Sequence, residues 1–110
     1  MHFYKRLYVG SSVTKKKRQI VWKLKIGKVM PNVYCIALAA NPQDMLEIYH
    51  NGLLKQSYYH KYPPYIIGIA GSYTEAVELV QLMLEDTFKI TGTYDIRKIC
   101  ITLNIQGNSN

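Results

Sequence analysis

Four consecutive cations, Lys15, Lys16, Lys17 and Arg18, follow a short apolar run and a Gly10-Ser11-Ser12 turn in the stretch YVGSSVTKKKRQI. A strand, a tight turn and a helix start in that order make a seat for an anion. The backbone N–H groups of a helix N-terminus face outward and carry the positive end of the helix dipole. Each cation in a first turn opposes that dipole by about 0.3 to 1 kcal/mol at low salt. No Asp or Glu occurs in residues 1–30 to offset them. Gly10, Ser11, Ser12, Lys15, Lys16, Lys17 and Arg18 are therefore expected to receive a negatively charged group, with Lys23 and Lys25 extending the same surface. The strand-Gly-Ser-helix pattern recurs at Ala70-Gly71-Ser72-Tyr73. There Ser72 and Glu75 match a capping box, so the chain's own carboxylate answers that helix terminus.

A second stretch, YYHKYPPY, interleaves Tyr58, Tyr59 and Tyr62 with His60 and Lys61. Tyrosine planes beside cations suit unpaired bases, because every base has a π-face and each stack contributes about 1–3 kcal/mol. With the basic run, this makes RNA or DNA a candidate partner. The same tyrosines also suit a sheet edge or an oligomer seam, and the sequence leaves both readings open.

Catalytic patterns are missing. Neither Gly-x-x-x-x-Gly-Lys-Ser/Thr nor Gly-x-Gly-x-x-Gly occurs, and there is no Gly-x-Ser-x-Gly elbow. His2, His50 and His60 lack the short spacing that places two metal ligands on one helix face. Asp44 and Glu47 are three apart, but the helix dipole accounts for one and solvent for the other. No cofactor, metal site or catalytic residue is implied, and a binding role is expected ahead of an enzymatic one. Cys35 and Cys100 lie within apolar runs without Cys-x-x-Cys spacing and read as buried thiols.

The elements that must position these residues belong to one domain spanning 1–110, with 105–110 as a frayed tail. Hydrophobic residues make up 48% and charged residues 19%, a balance that folds rather than staying disordered. Net charge is +7 and unevenly spread: residues 1–30 hold nine Lys or Arg, whereas the helix after Ser72 carries Glu75, Glu78, Glu85 and Asp86. A basic patch raises the local concentration of anionic partners. No apolar run approaches the ~20 residues of a membrane span, and MHFYKRLYVG has no signal-like core, so a cytoplasmic protein without membrane contact is expected.

Strand-like runs alternating with helical periods predict an α/β domain of order βαβαβαβ with a largely parallel sheet. Residues 4–9 form a first strand, with Tyr4, Arg6 and Tyr8 on one face, Lys5, Leu7 and Val9 on the other, and cations suggesting an edge or an end near solvent. A helix follows on Ile20, Val21 and Leu24, stopped by Gly27. It either begins near residue 18 or overhangs the sheet. NVYCIALAA reads as a strand covered on both faces. Asn41, Pro42 and Asp44 then start a short helix carrying Met45, Leu46, Ile48 and Tyr49 and ending at Gly52. Leu53 and Leu54 belong to another helical turn before an aromatic, basic, Pro-punctuated loop in which Tyr62 and Pro63 are held extended. YIIGIA (65–70) is a buried strand, and Ser72 caps a helix with Ala76, Leu79, Val80 and Met83 on one stripe, Val77, Leu84 and Phe88 beside it, and Gly92 as its stop. Alternation in ICITLNI (99–105) predicts a last strand.

The segments KRLYVG, KKKRQIVWKLKIGK, LEIYHNGLLKQSYY, YIIGIAGSYTEAVELV and TGTYDIRK together resemble a family of short bacterial proteins with no assigned function, over roughly residues 5–98. The resemblance implies a stand-alone domain and supplies no site residues. Three functions follow from the residues themselves. The leading one is a polyanion-binding protein, for RNA or DNA, using the basic run and the tyrosines. The second is a protein-interaction or self-assembling module in which the basic half meets the acidic helix of another copy. The third is an enzyme or sensor for a phosphorylated metabolite at Gly10 to Ser12.

Overall fold

Apolar runs such as VYCIAL and YIIGIA are stable only with cover on both faces, and the tertiary structure supplies it. The computed structural model describes residues 2–39 and 46–96. In chain order these form β1 (His2–Val9), a 3-10 helix (Ser11–Lys16), α1 (Lys17–Lys25), β2 (Tyr34–Leu38), β3 (Leu46–His50), a second 3-10 helix (Asn51–Lys55), α2 (Ser57–Lys61), β4 (Tyr65–Ala70) and α3 (Tyr73–Thr91). They build one α/β domain around a four-stranded sheet.

The sheet is mixed rather than largely parallel, with strand order β1-β4-β2-β3. β1 runs parallel to β4, whereas β2 is antiparallel to both β4 and β3. The expected βαβαβαβ order fails between β2 and β3. Only residues 39–45 join them, fewer than the dozen or so that a parallel crossover needs, so the chain returns alongside itself. The predicted helix through Leu46, Ile48 and Tyr49 is accordingly a strand: Leu46 and Ile48 pack on one face and Tyr49 on the other. A five-residue run satisfies either period, and the open edge of β2 decides it. Gly52 lies inside the following 3-10 helix rather than ending an α-helix. Asn41, Pro42, Asp44 and Met45 lie outside the described residues, as do the strand predicted at 99–105, Cys100 and the tail from 105.

β1 is an edge strand, as its cations suggested. Its faces divide as expected, Tyr4 and Tyr8 toward one core and Phe3, Leu7 and Val9 toward the other. Of the two starting points open to the first helix, the structure has the later one: a 3-10 helix occupies 11–16 and α1 begins at Lys17. Gly27, at φ +81°, ends α1. Lys28 N–H donates to the Lys23 carbonyl at 2.9 Å and Gly27 N–H to that of Leu24 at 3.2 Å, the paired bonds of a Schellman stop.

Each face of the sheet carries its own core. Ile20 and Leu24 of α1 pack with Val13, Cys35, Tyr49, Ile66 and Ile69 on one side. Ala76, Leu79 and Met83 of α3 pack with Tyr4, Ile36, Ile67 and Ala70 on the other. α3 starts as predicted, with Ser72 Oγ accepting from the Glu75 N–H at 3.1 Å, and stops at Gly92, φ +77°. The stripe beside its core face is less covered: Val77 is exposed, and Phe88, 48% exposed, stacks on Tyr94 with ring centroids 4.8 Å apart. Cys35 is a free, buried thiol, pushed up to about 12 by desolvation.

YYHKYPPY is only partly the extended loop expected. Ser57–Lys61 closes into α2, and the chain straightens at Tyr62 ahead of Pro63 and Pro64. Between α1 and β2 the chain is pinned by Asn51, which is 2% exposed. Asn51 Nδ2 donates to the carbonyls of Met30 and Val33, both at 2.7 Å, and its Oδ1 accepts from the Met30 N–H at 2.9 Å. Every polar atom of that buried amide is thus engaged.

Candidate functional site

Because β1 and β4 are parallel neighbours, their two Gly-Ser turns emerge side by side at the same end of the sheet. Gly10 N–H donates to the Ile69 carbonyl at 2.9 Å. The Glu75 side chain then spans both turns: Oε1 accepts from Gly71 N–H and from Ser12 Oγ–H, each at 2.8 Å, and Oε2 accepts from Ser12 N–H at 3.2 Å. Neither glycine has room for a side chain. A Cβ on Gly10 would collide with the Glu75 carboxylate, and one on Gly71 with Ser12 Oγ. The two turns are docked into each other.

This revises the anion seat expected at Gly10, Ser11 and Ser12. The negative charge comes from within, 63 residues along the chain, and no local reading of residues 1–30 reveals it. Instead of reaching back to the Ser72 N–H as a capping box would, the Glu75 carboxylate takes the Gly71 N–H before it and the N–H and hydroxyl of Ser12 in the other turn. Desolvation pushes its carboxyl up, but the bonds from Gly71 N–H, the Ser12 hydroxyl and Ser12 N–H more than offset this and hold it below the usual carboxylate range. The third turn element expected here, an α-helix N-terminus, is also displaced. Lys15 and Lys16 close the 3-10 helix, where the carbonyl end favours cations, and only Lys17 and Arg18 lie in the first turn of α1.

The cations themselves are left for solvent or a partner. Lys15, Lys16, Lys17, Arg18 and Lys25 are exposed and Lys23 is half-buried. The 3-10 helices, α1 and α2 all lie on one face of the sheet, so Lys28, Lys55, His60 and Lys61 join them there. Among the described residues, the carboxylate on that face is Glu47 on β3, close enough to Tyr59 to help raise its phenol after desolvation has done so. Glu78, Glu85 and Asp86 belong to α3 on the opposite face, where Asp86 accepts from the Tyr8 hydroxyl at 2.8 Å. The sheet therefore has most of the described cations on one side and the α3 carboxylates, accompanied by Lys89 and Arg6, on the other.

The three tyrosines proposed for stacking are not equivalent. Tyr59 is half-buried against Tyr49, centroids 5.5 Å apart, and its ring belongs to the core margin. Tyr58 and Tyr62 are 50% and 55% exposed and lie together at 5.3 Å, with the Lys61 ammonium 5.6 Å from the Tyr62 ring. His60 is exposed beside them. Sequence reasoning missed Trp22, which is 57% exposed on α1. Helical spacing carries the signal: Trp22 sits two residues from both Ile20 and Leu24, which are buried, so it points away from the core with Arg18 one turn before it.

One groove of about 500 Å³ lies between the end of α1 and the segment 51–63. It brings Lys25 together with Tyr59 and His60 and adds Lys28 and Lys55. A second hollow of about 370 Å³ runs beside Ser12, Lys16 and Lys23. His50 is structural: its Nδ1 accepts from Gly52 N–H at 3.1 Å, which leaves Nε2–H to donate to the Pro31 carbonyl at 2.8 Å. Among the described residues there is no group of three or more His, Cys, Asp or Glu placed to hold a metal ion, and no helix long and apolar enough to cross a membrane. No protein-family model, curated protein or solved structure matches the chain.

Proposed function

We propose that the protein binds a polyanion, RNA or DNA, across the layer formed by α1, α2 and the two 3-10 helices. The separation of charge by the sheet carries this reading. Lys15, Lys16, Lys17, Arg18, Lys23 and Lys25 lie on one side with Lys28, Lys55 and Lys61, and the α3 carboxylates lie on the other. Phosphate contacts by such a surface are sequence-independent and release counterions, so binding weakens steeply with salt. Tyr58, Tyr62 and Trp22 supply exposed planes for unpaired bases. The resemblance to short bacterial proteins brings no activity with it and leaves this reading to the residues.

The test is fluorescence anisotropy with a labelled single-stranded oligonucleotide, titrated at several salt concentrations. Neutralising Lys15, Lys16, Lys17 and Arg18 together to Gln removes up to four phosphate contacts and lowers the salt slope by about 2.8, at about 0.7 per contact on a single strand. A charge-reversed variant at the same four positions that bound as well as the parent would sink the proposal.

A self-assembling module is the second reading, favoured by the exposed Tyr73, Val77 and Phe88 along α3 beside its carboxylates. It requires a molecular mass that rises with concentration in light scattering. A phosphorylated metabolite at Gly10 to Ser12 has lost its motive, because Glu75 already holds the donors it would use.

A further inference from the structure

The groove at the end of α1 joins apolar and cationic residues from separate elements of the basic layer. Its inner surface is apolar, from Leu24, Leu54 and Tyr59, and its rim is cationic, from Lys25, Lys28 and Lys55 with His60 beside them, with no carboxylate among its lining residues. Both walls are fixed. Gly27 ends α1 at a positive φ that turns the chain back at Lys28, and Asn51, which also lines the groove, ties the opposite wall to Met30 and Val33. Lys25 is held as well, its ammonium 5.6 Å from the Phe3 ring of β1. A volume of about 500 Å³ falls in the range of small-molecule sites, which are largely apolar with a few charged groups fixing orientation. An apolar inner surface and a cationic rim suit a flat aromatic ring that bears a phosphate.

We infer that this groove seats one unpaired nucleotide: the base lies on Leu54 and the edge of Tyr59, and its phosphate lies among Lys25, Lys28 and Lys55. The inference rests on the polyanion reading and gives it a fixed point. A strand anchored here has the exposed cations of α1 along its path in one direction and Tyr58 and Tyr62 in the other. The same chemistry is presented by a free nucleoside monophosphate, and the experiment separates the two sources.

The variant is Lys28→Gln with Lys55→Gln, both exposed residues outside the core. The probes are adenosine monophosphate, adenosine and inorganic phosphate, followed by amide chemical shifts, and a labelled single-stranded oligonucleotide followed by anisotropy. Adenosine monophosphate is expected to shift amides of residues 25–28 and 55–60 in the parent, and in the variant these shifts are lost. Oligonucleotide affinity should fall about fivefold at 0.1 M salt, the effect of a slope reduced by about 0.7 for the one lost phosphate contact. Shifts caused equally by inorganic phosphate overturn the nucleotide assignment. An oligonucleotide affinity within twofold of the parent overturns the groove while leaving the basic layer intact. Groove shifts in a parent that binds no oligonucleotide sustain the groove as a mononucleotide site and overturn the reading of the preceding subsection.

Discussion

Replacing Gly10 by Ala tests whether the docked turns hold the ends of β1 and β4 together. Gly10 has φ −60° and ψ 146°, a conformation Ala adopts freely, so the substitution brings no backbone strain. By restricting the unfolded chain it should even stabilise, by about 0.4–1 kcal/mol. The opposing effect is local: the new Cβ occupies the space of the Glu75 carboxylate and must expel it. Expulsion breaks three hydrogen bonds to a charged acceptor. The one from the part-buried Gly71 N–H contributes about 1.5 kcal/mol, and the two solvent-exposed ones from Ser12 about 0.5 kcal/mol each. Gly10→Ala should therefore destabilise by about 1.5–2 kcal/mol net, near 8 °C in Tm for a chain of this size. In a Glu75→Ala background the space is empty, and the same substitution should be neutral or slightly stabilising. Urea unfolding of the four proteins gives the coupling energy directly. A Gly10→Ala penalty of equal size in both backgrounds would refute the docking argument. The pH dependence offers a second check. A carboxyl held below its unfolded value contributes stability that is fully present above about pH 5 and is lost as pH falls through the depressed folded value. Parent and Glu75→Ala should accordingly converge in stability toward low pH.

Two further substitutions address buried polar groups. Asn51→Ala should destabilise by about 3 kcal/mol, because it leaves the Met30 N–H and the Met30 and Val33 carbonyls without partners, and Asn51→Asp should do comparable damage since a carboxylate cannot donate to carbonyls. Denaturant midpoints measure both, and an Asp variant as stable as the parent would contradict the assigned donors. Tyr49→Phe runs the other way: the buried Tyr49 hydroxyl has no hydrogen-bond partner, so its removal should leave stability unchanged or raise it by up to about 1 kcal/mol. A loss beyond 1 kcal/mol in the same assay would show that the hydroxyl is satisfied in solution.

Elements with a long, consistent period were legible in the chain. α3 announced itself through Ser72, Glu75 and a stripe sustained over five turns, and YIIGIA through length and β-branched content. LEIYH was misread because five residues cannot separate a period of 3.6 from one of 2, and SYYHK because prolines two residues on suggested a loop where one short helical stretch fits. The basic surface was legible as composition, but its boundary was not. Lys55 and Lys61 join Lys25 and Lys28 only because α1 and α2 cover the same face of the sheet.

The amino-acid sequence by itself determined the charge asymmetry, the stop of α1 at Gly27, the start and stop of α3 and the apolar runs that must be buried, because these depend on residues within a turn or two of one another. Only the tertiary structure decided what the asymmetry means. Strand order put β1 beside β4, and that adjacency let the Glu75 carboxylate serve both its own turn and Ser12, 63 residues away. A hydrogen bond reaches about 3 Å in space with no regard to distance along the chain. The anion that the first turn calls for was therefore present in the sequence all along, on a helix that no local reading could bring to it.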